Sequence, residues 1–459
     1  MAHSTAFIIV VGLTESLLAH APRLRAFASA GTLRTLRPPL PAVTCTVQAS
    51  MFTGLPPSGH GVVANGWFNR ELQEIHFWKQ SNRLVQGEKV WETAKKRDPS
   101  FTCANMFCWF NMYSSVDWSV TPRPIYKADG RKIPDCYAEP PELRDTLQAE
   151  LGRFPLFNFW GPGSSIASSR WIAEATKRVV ERHDPTLTLV YLPHLDYDLQ
   201  KLGPGHPDIP KAVGEIDEVA GGLIDHLAVR NRRIIIASEY AIEPVSEAVF
   251  PNRALREAGA LRVRTEDGHE LLDPGASRAF AVADHQVAHV YIRDPADIPE
   301  FQRLFASLPG VEQILTRAEQ EEIDIAHERS GELLLVAEPG RLFAYDYWRA
   351  GEDSMAPDFA RTVDIHRKPG YDPRELFIDP RFRFPKLAIA HRLLRRKLGM
   401  RTLLDVIPLD ASLVKGSHGR RDSAPSEKPI LITPAGADTS TDFPAEGVRD
   451  VLLESLFQE

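Results

Sequence analysis

A threonine at position 44 stands between a proline-broken approach ending at Pro41 and a run of small and apolar residues ending at Thr53-Gly54. That order predicts a strand, a turn and a helix, with the Thr44 hydroxyl lifted off the sheet edge. The first turn of a helix leaves N–H groups unpaired and carries positive partial charge, so it favours an anion, phosphate above all. A threonine alcohol is a poor nucleophile until a base or a metal ion removes its proton. Residue types able to hold such an ion recur further on: His194, Asp196 and Asp198, then Glu239-Tyr240, then Asp284-His285, then His366 ahead of Gly370. If the strand before His194 runs on, alternate side chains share a face, and His194, Asp196 and Asp198 project together. One imidazole and two carboxylates suit a zinc- or manganese-like divalent ion. Each of these residues alone reads as an ordinary cap or turn residue. Their coincidence after successive apolar runs is the informative feature.

The elements that would carry them alternate. Residues 7–13 read as an all-apolar strand followed by an amphipathic helix over 16–30. Residues 187–192 and 211–227 repeat that pair, and 233–238 and 279–283 are further apolar strands. Near-continuous Val/Ile/Leu strands separated by helices predict an α/β fold: a three-layer αβα sandwich around a mostly parallel sheet. In such sheets ligands lie beyond the carboxyl ends of the strands, where these polar residues fall. Between 101 and 162, Trp109, Phe110, Tyr113 and other aromatics crowd a Pro- and Gly-rich stretch with little periodicity, read as a cap insert over the core of 1–100 and 163–380. The rest, 381–459, reads as a C-terminal extension: a basic run from His391 to Lys397 on a solvated helix face, a mobile tail over 416–441, and a short helix over 448–457.

Bulk properties bound the classes. The 459 residues exceed one typical domain, with 43% hydrophobic and 25% charged residues and a net charge of -7. Mild acidity argues against a dedicated nucleic-acid or membrane-surface binder. The apolar run 6–13 is too short for a membrane span and reads as a buried strand rather than a signal peptide. Four scattered cysteines (Cys45, Cys103, Cys108, Cys136) suit reduced thiols and a cytoplasmic location.

Taken in order over about residues 6–375, these stations resemble the alkaline phosphatase superfamily, in its nucleotide pyrophosphatase/phosphodiesterase branch. The pieces that carry the resemblance are Thr44 with Thr53-Gly54, Pro56, His60-Gly61 and Asn65, then Pro193-x-Leu195-Asp196 with Gly203-Pro204, then His366 before Gly370-Tyr371-Asp372-Pro373. The resemblance implies Thr44 as nucleophile, Asn65 as a donor to the phosphoryl oxygens, and Asp196 and His366 as metal ligands. Three stations depart from the pattern. The family's opening Asp-Gly-Leu is Val11-Gly12-Leu13, its His after the ligand Asp is Gln200, and its Asp-His-Gly is Glu239-Tyr240-Ala241. Thr44 and Glu239 remain for one ion and Asp196, His366 and Gln200 for the other, with His194, Asp198, Asp284 and His285 as replacement ligands. The segment lacks the Cys/Ser-x-Pro-x-Arg of sulfatases, and the pattern is loosely similar to a bacterial group associated with secondary metabolism.

The expectation is a phosphodiester, pyrophosphate or phosphomonoester hydrolase of a small metabolite. It would use one or two divalent ions, zinc first and manganese or magnesium as alternatives, with no nucleic-acid partner, no membrane span and oligomerisation open. The competing expectation is a non-catalytic metabolite-binding or scaffold descendant of the fold.

Overall fold

The computed structural model describes residues 2–400, 402–421, 427–436 and 442–458, which fall into two compact units. The first comprises residues 1–62, 80–242 and 421–459, the second residues 63–79 and 243–420.

The first unit is built on a nine-stranded sheet. Its centre is five parallel strands in the order Arg233–Ala237, Thr5–Val10, Leu187–Leu192, Cys103–Met106 and Trp118–Pro122. Thr5–Val10 and Leu187–Leu192 are buried at every position, which is why both read as unbroken apolar runs instead of alternating ones. Two groups of helices pack on the sheet. Pro22–Ala30, Ile166–His183, His194–Leu202 and Ile209–Ala228 form one group, and Thr44–Thr53, Val90–Arg97 and Val448–Phe457 the other. The α/β class and mostly parallel sheet expected from the sequence are present.

The domain boundaries differ from those expected. Residues 101–162 are no cap: Cys103–Met106, Trp118–Pro122 and Cys136–Glu139 are strands that complete one side of the sheet. Phe107 and Phe154 of this stretch serve the core, meeting each other and Trp171 at ring-centroid distances of 4.8 to 6.0 Å, whereas Tyr113 and Tyr126 are exposed. The C-terminal extension is also structural. Ile430–Thr433 is inserted antiparallel between Arg233–Ala237 and Thr32–Arg37, and Val448–Phe457 buries Val448, Leu452, Leu453 and Leu456. Of the tail expected over 416–441, residues 422–426 and 437–441 lie outside the described residues.

The second unit contains a four-stranded antiparallel sheet in the order Ala279–Asp284, Val287–Ile292, Leu333–Ala337 and Val311–Thr316. A buried ion cluster stands in the same unit. Arg374 makes a two-pronged contact to Asp346 at 2.9 and 2.8 Å and reaches Asp372 at 2.6 Å, while Lys368 bonds Asp372 and Glu375, both at 2.8 Å. Burial works against the Asp372 charge, yet Arg374 and Lys368 hold its carboxyl below the usual range. Asp372 is thus the hub of an ion cluster.

Candidate functional site

Thr44 opens the helix Thr44–Thr53, whose ten residues are all buried and which ends on Gly54 in the left-handed conformation at φ +69°. The preceding Val43 is extended, so the chain arrives in extended backbone and turns into helix at Thr44. The first-turn amides therefore surround the hydroxyl with positive partial charge.

The hydroxyl Oγ1 lies 3.1 Å from Tyr240 Oη, and Tyr240 Oη donates to Asp196 Oδ1 at 3.3 Å. A phenol has one hydrogen. If it goes to Asp196, Tyr240 must accept from Thr44, and the chain of bonds acquires a direction: Thr44 to Tyr240 to Asp196. Gln200 Nε2 donates to the other Asp196 oxygen at 2.8 Å, one helical turn along. Gln48, one turn after Thr44, is oriented by the backbone: its Oε1 accepts from Trp109 N–H at 2.6 Å, which leaves Nε2 to donate to Glu239 Oε1 at 2.5 Å. Glu239 Oε2 is buried with no hydrogen-bond partner. The Tyr191 hydroxyl also reaches Thr44.

Burial dominates the titration of this group. It pushes the Asp196 carboxyl up to about 6 against the pull of Gln200 and Tyr240, and pushes Glu239 well above the usual carboxylate range. It likewise holds Tyr240 well above an ordinary phenol, so the ring keeps its proton. No Lys or Arg among the described residues contributes to either carboxylate's shift.

Two buried carboxylates without a cationic side chain, one with an orphaned oxygen, next to hydroxyls fit a single cation. The donor set is all oxygen: Asp196, Glu239, Thr44, and the amide oxygen of Gln200 if it turned. Such a set matches magnesium or manganese better than zinc, which favours imidazole and thiolate. Val11, which stands where the resemblance expects a carboxylate, is completely buried and apolar. Its neighbour Gly12 keeps the family residue for a backbone reason, with φ +74° and a Cβ there 3.0 Å from Leu199 Cδ1. Among the described residues no group of three or more His, Cys, Asp or Glu stands together to hold an ion.

The replacement ligands are placed elsewhere. His194–Leu202 is a helix and not a continued strand, so alternation does not apply. His194 Nε2 sits 3.2 Å from Glu215 on the neighbouring helix, and Asp198 acts on His194 rather than joining Asp196. The remaining candidates belong to the second unit. Asn65 gives both its backbone N–H and its Nδ2 to Asp284, at 2.8 and 3.1 Å. His285 is stacked between Tyr371 and His418 at centroid distances of 3.7 and 3.6 Å, and burial lowers its pKa well below that of a free imidazole. His366 Nδ1 lies 3.1 Å from the Phe77 carbonyl oxygen, which can only accept, so Nδ1 carries a proton. A metal-binding histidine is oriented in this way.

Sequence reasoning missed Gln48 and Tyr191 and read Tyr240 as a lost ligand. Gln48 carried a usable signal, its four-residue spacing from Thr44 on a predicted helix. Tyr191 carried a weaker one, a hydroxyl near the end of an otherwise apolar strand.

Asp284 yields a test of its own. Burial raises its carboxyl from 3.8 to about 7, so the fold favours the protonated form. That contribution is full below the unfolded pKa and is lost as pH rises through the folded one. The melting-temperature advantage of the wild type over Asp284→Asn should shrink by a few degrees between about pH 5 and about pH 8 in thermal melts. A gap that stays constant or widens would contradict the assignment.

Comparison with known proteins shows the family. A family model described as type I phosphodiesterase / nucleotide pyrophosphatase matches residues 5–372, and the chain belongs to that family. A curated relative, an uncharacterized pyrophosphatase/phosphodiesterase of Schizosaccharomyces pombe (strain 972 / ATCC 24843), is 24% identical over 223 residues. That match takes in 46% of this chain and 38% of the relative, so it spans well under half of the relative's length. Among solved structures, phosphonoacetate hydrolase from Sinorhizobium meliloti 1021 in complex with phosphonoformate aligns with a TM-score of 0.62 at 13% identity, over 99% of this chain and 95% of that one. An inactive variant of murine ectonucleotide pyrophosphatase / phosphodiesterase 5 in complex with AMP aligns with a TM-score of 0.58 at 14% identity, over 99% and 94%. At these identities the likeness establishes the shared fold. No helix among the described residues is long and apolar enough to cross a membrane.

Proposed function

We propose that the chain hydrolyses a phosphate ester of a small metabolite, a phosphodiester, pyrophosphate or phosphomonoester, with Thr44 as the nucleophile. The observation that carries the proposal is the directed chain from Thr44 Oγ1 through Tyr240 Oη to Asp196 Oδ1 at the start of a buried helix.

Thr44 Oγ1 attacks phosphorus and its proton passes to Tyr240 Oη, whose own proton passes to Asp196 Oδ1. The oxygen–phosphorus bond to Thr44 forms as the bond to the leaving oxygen breaks, and that oxygen takes a proton from solvent where its basicity requires one. First-turn amides of Thr44–Thr53 hold the phosphoryl oxygens as negative charge builds on them. Gln200 keeps the Asp196 carboxylate turned toward Tyr240, and Gln48 holds Glu239 through the Trp109 backbone. A water then cleaves the phosphothreonine and releases a proton to solvent, while the proton on Asp196 returns through Tyr240 to the departing Thr44 oxygen. A divalent ion, magnesium or manganese by its donor set, would be held by Glu239, Asp196 and Thr44 and would supply Lewis acidity that lowers the pKa of a hydroxyl. The four cysteines are all buried free thiols, which suits a reducing cytoplasm as the place of action.

The test is hydrolysis of bis(nitrophenyl) phosphate with added magnesium, manganese or zinc. Tyr240→Phe keeps the ring and removes the relay oxygen, and should lower kcat about 100-fold with little change in KM. An unchanged kcat removes the relay from the mechanism. A second reading, a metabolite-binding descendant without turnover, is favoured by one observation: both Asp196 oxygens already accept from protein donors. Turnover of no phosphate ester under any of the three ions, together with no bound metal in the purified protein, would establish that reading instead.

A further inference from the structure

An arm leaves the second unit after Asp379 and returns at Val406, its base closed by the hydrogen bond from Asp379 N–H to the Val406 carbonyl at 2.8 Å. Asp379 is itself clamped by Arg381 at 2.6 Å and lies 3.7 Å from Arg361. Half of the arm is the helix Pro385–Lys397. One side of it faces the protein: Pro385, Ala388, Ile389 and Arg392 are half-buried, and Arg392 is pinned by Asp405 at 2.5 Å and stacked over Phe382.

The outward side is solvated, as expected for the basic run, but it is not uniformly polar. Phe384, Leu387, Leu394 and Leu398 recur at helical spacing and are 60%, 68%, 55% and 68% exposed. Met400 and Leu403 extend the exposed apolar surface past the helix end. By helical geometry Lys386 and Lys397 border this stripe on one side and Arg395 on the other. Residues 380–404 contain eight Lys or Arg and no Asp or Glu, in a chain whose net charge is -7. The whole-chain charge therefore conceals a strongly cationic segment.

We propose that this arm is an interfacial helix that docks the protein on an anionic lipid surface. An apolar stripe bordered by Lys and Arg lies flat at the headgroup boundary, with the leucines below the phosphates and the cations among them. Charge alone would suit any polyanion. The row of exposed leucines selects a partner with an apolar layer directly beneath its anionic one, which a bilayer offers and a nucleic acid backbone does not. The inference rests on the arm and not on the Thr44 site, so it stands whether or not the chain turns over a phosphate ester.

The test is co-sedimentation of the full chain with vesicles of phosphatidylcholine alone or doped with phosphatidylglycerol. The protein should pellet with the doped vesicles, release as salt is raised, and ignore phosphatidylcholine alone. Leu387→Glu with Leu394→Glu, at exposed positions that leave the fold intact, should cut partitioning about 10-fold or more, and Lys386→Ser with Lys397→Ser should weaken it and flatten its salt dependence. No pelleting with anionic vesicles overturns the proposal. So does salt-sensitive binding of a polynucleotide that the leucine variant retains, or a self-association, seen by sedimentation velocity, that the leucine variant abolishes.

Discussion

Thr44→Ala should abolish turnover, lowering kcat for bis(nitrophenyl) phosphate by about 1000-fold or more. The effect is large because Thr44 Oγ1 is both the attacking atom and the source of the proton that Tyr240 relays to Asp196. A variant without it retains the helix amides and can still bind the phosphate, so KM should move little while kcat collapses. Thr44→Ser restores an alcohol in the same place and should recover measurable rate, which a purely structural role for the threonine would not explain. The stability cost of the alanine is expected to be about 1–3 kcal/mol, from the hydrogen bonds to Tyr240 and Tyr191, so a urea melt showing a folded variant separates the loss of rate from unfolding. Thr44→Ala retaining more than about a tenth of the wild-type rate would take Thr44 out of the mechanism.

Arg374→Ala should be the most destabilising single change in the second unit, by about 3–5 kcal/mol. Arg374 is 1% exposed, grips Asp346 with both terminal nitrogens, bonds Asp372 through Nε and accepts the Tyr345 ring beneath its guanidinium at 5.2 Å. Its removal strands the Asp346 carboxylate in the interior, with Arg253 the remaining partner at 3.5 Å. The cost is that of an uncompensated buried charge and not of the pair itself. The double variant Arg374→Met with Asp346→Leu should accordingly be less destabilised than Arg374→Ala, because the Asp346 carboxylate is no longer left behind and Asp372 keeps Lys368. Urea unfolding of the three proteins checks both statements. A loss under about 1 kcal/mol for the single variant would show that the cluster is compensated in some other way.

Both predictions lean on features the sequence revealed unequally. The run 187–192 announced itself because a strand covered on both faces needs no polar alternation, and the strand occupies those very residues. The helix over 211–227 likewise appears as Ile209–Ala228, its apolar face set by a 3.6-residue period. Local pattern failed where elements are short. Cys103–Met106 and Ile430–Thr433 have four residues each, too few for any period to stand out, and the aromatic and Pro-rich context of the first pointed to a cap. The loop after Cys103–Met106 adds left-handed backbone at Phe107, Phe110 and Tyr113, a conformation that composition does not signal. His194, Asp196 and Asp198 share a face only if the strand before them runs on, and Pro193 is equally able to precede a helix, which is what forms.

The sequence by itself determined the class of fold and the position of Thr44 at the head of a helix, because both depend on residues within a turn or a strand of one another. It also set the arm's charge, a matter of composition. Only the tertiary structure decided what Tyr240 does. Its hydroxyl joins a threonine 196 positions away to an aspartate 44 positions away, and no local periodicity encodes that meeting. The same holds for Ile430–Thr433, which enters the sheet between strands that begin at residues 32 and 233. Such pairings are chosen by the burial and hydrogen-bonding of the assembled sheet, where each backbone group must find a partner and each apolar face a cover.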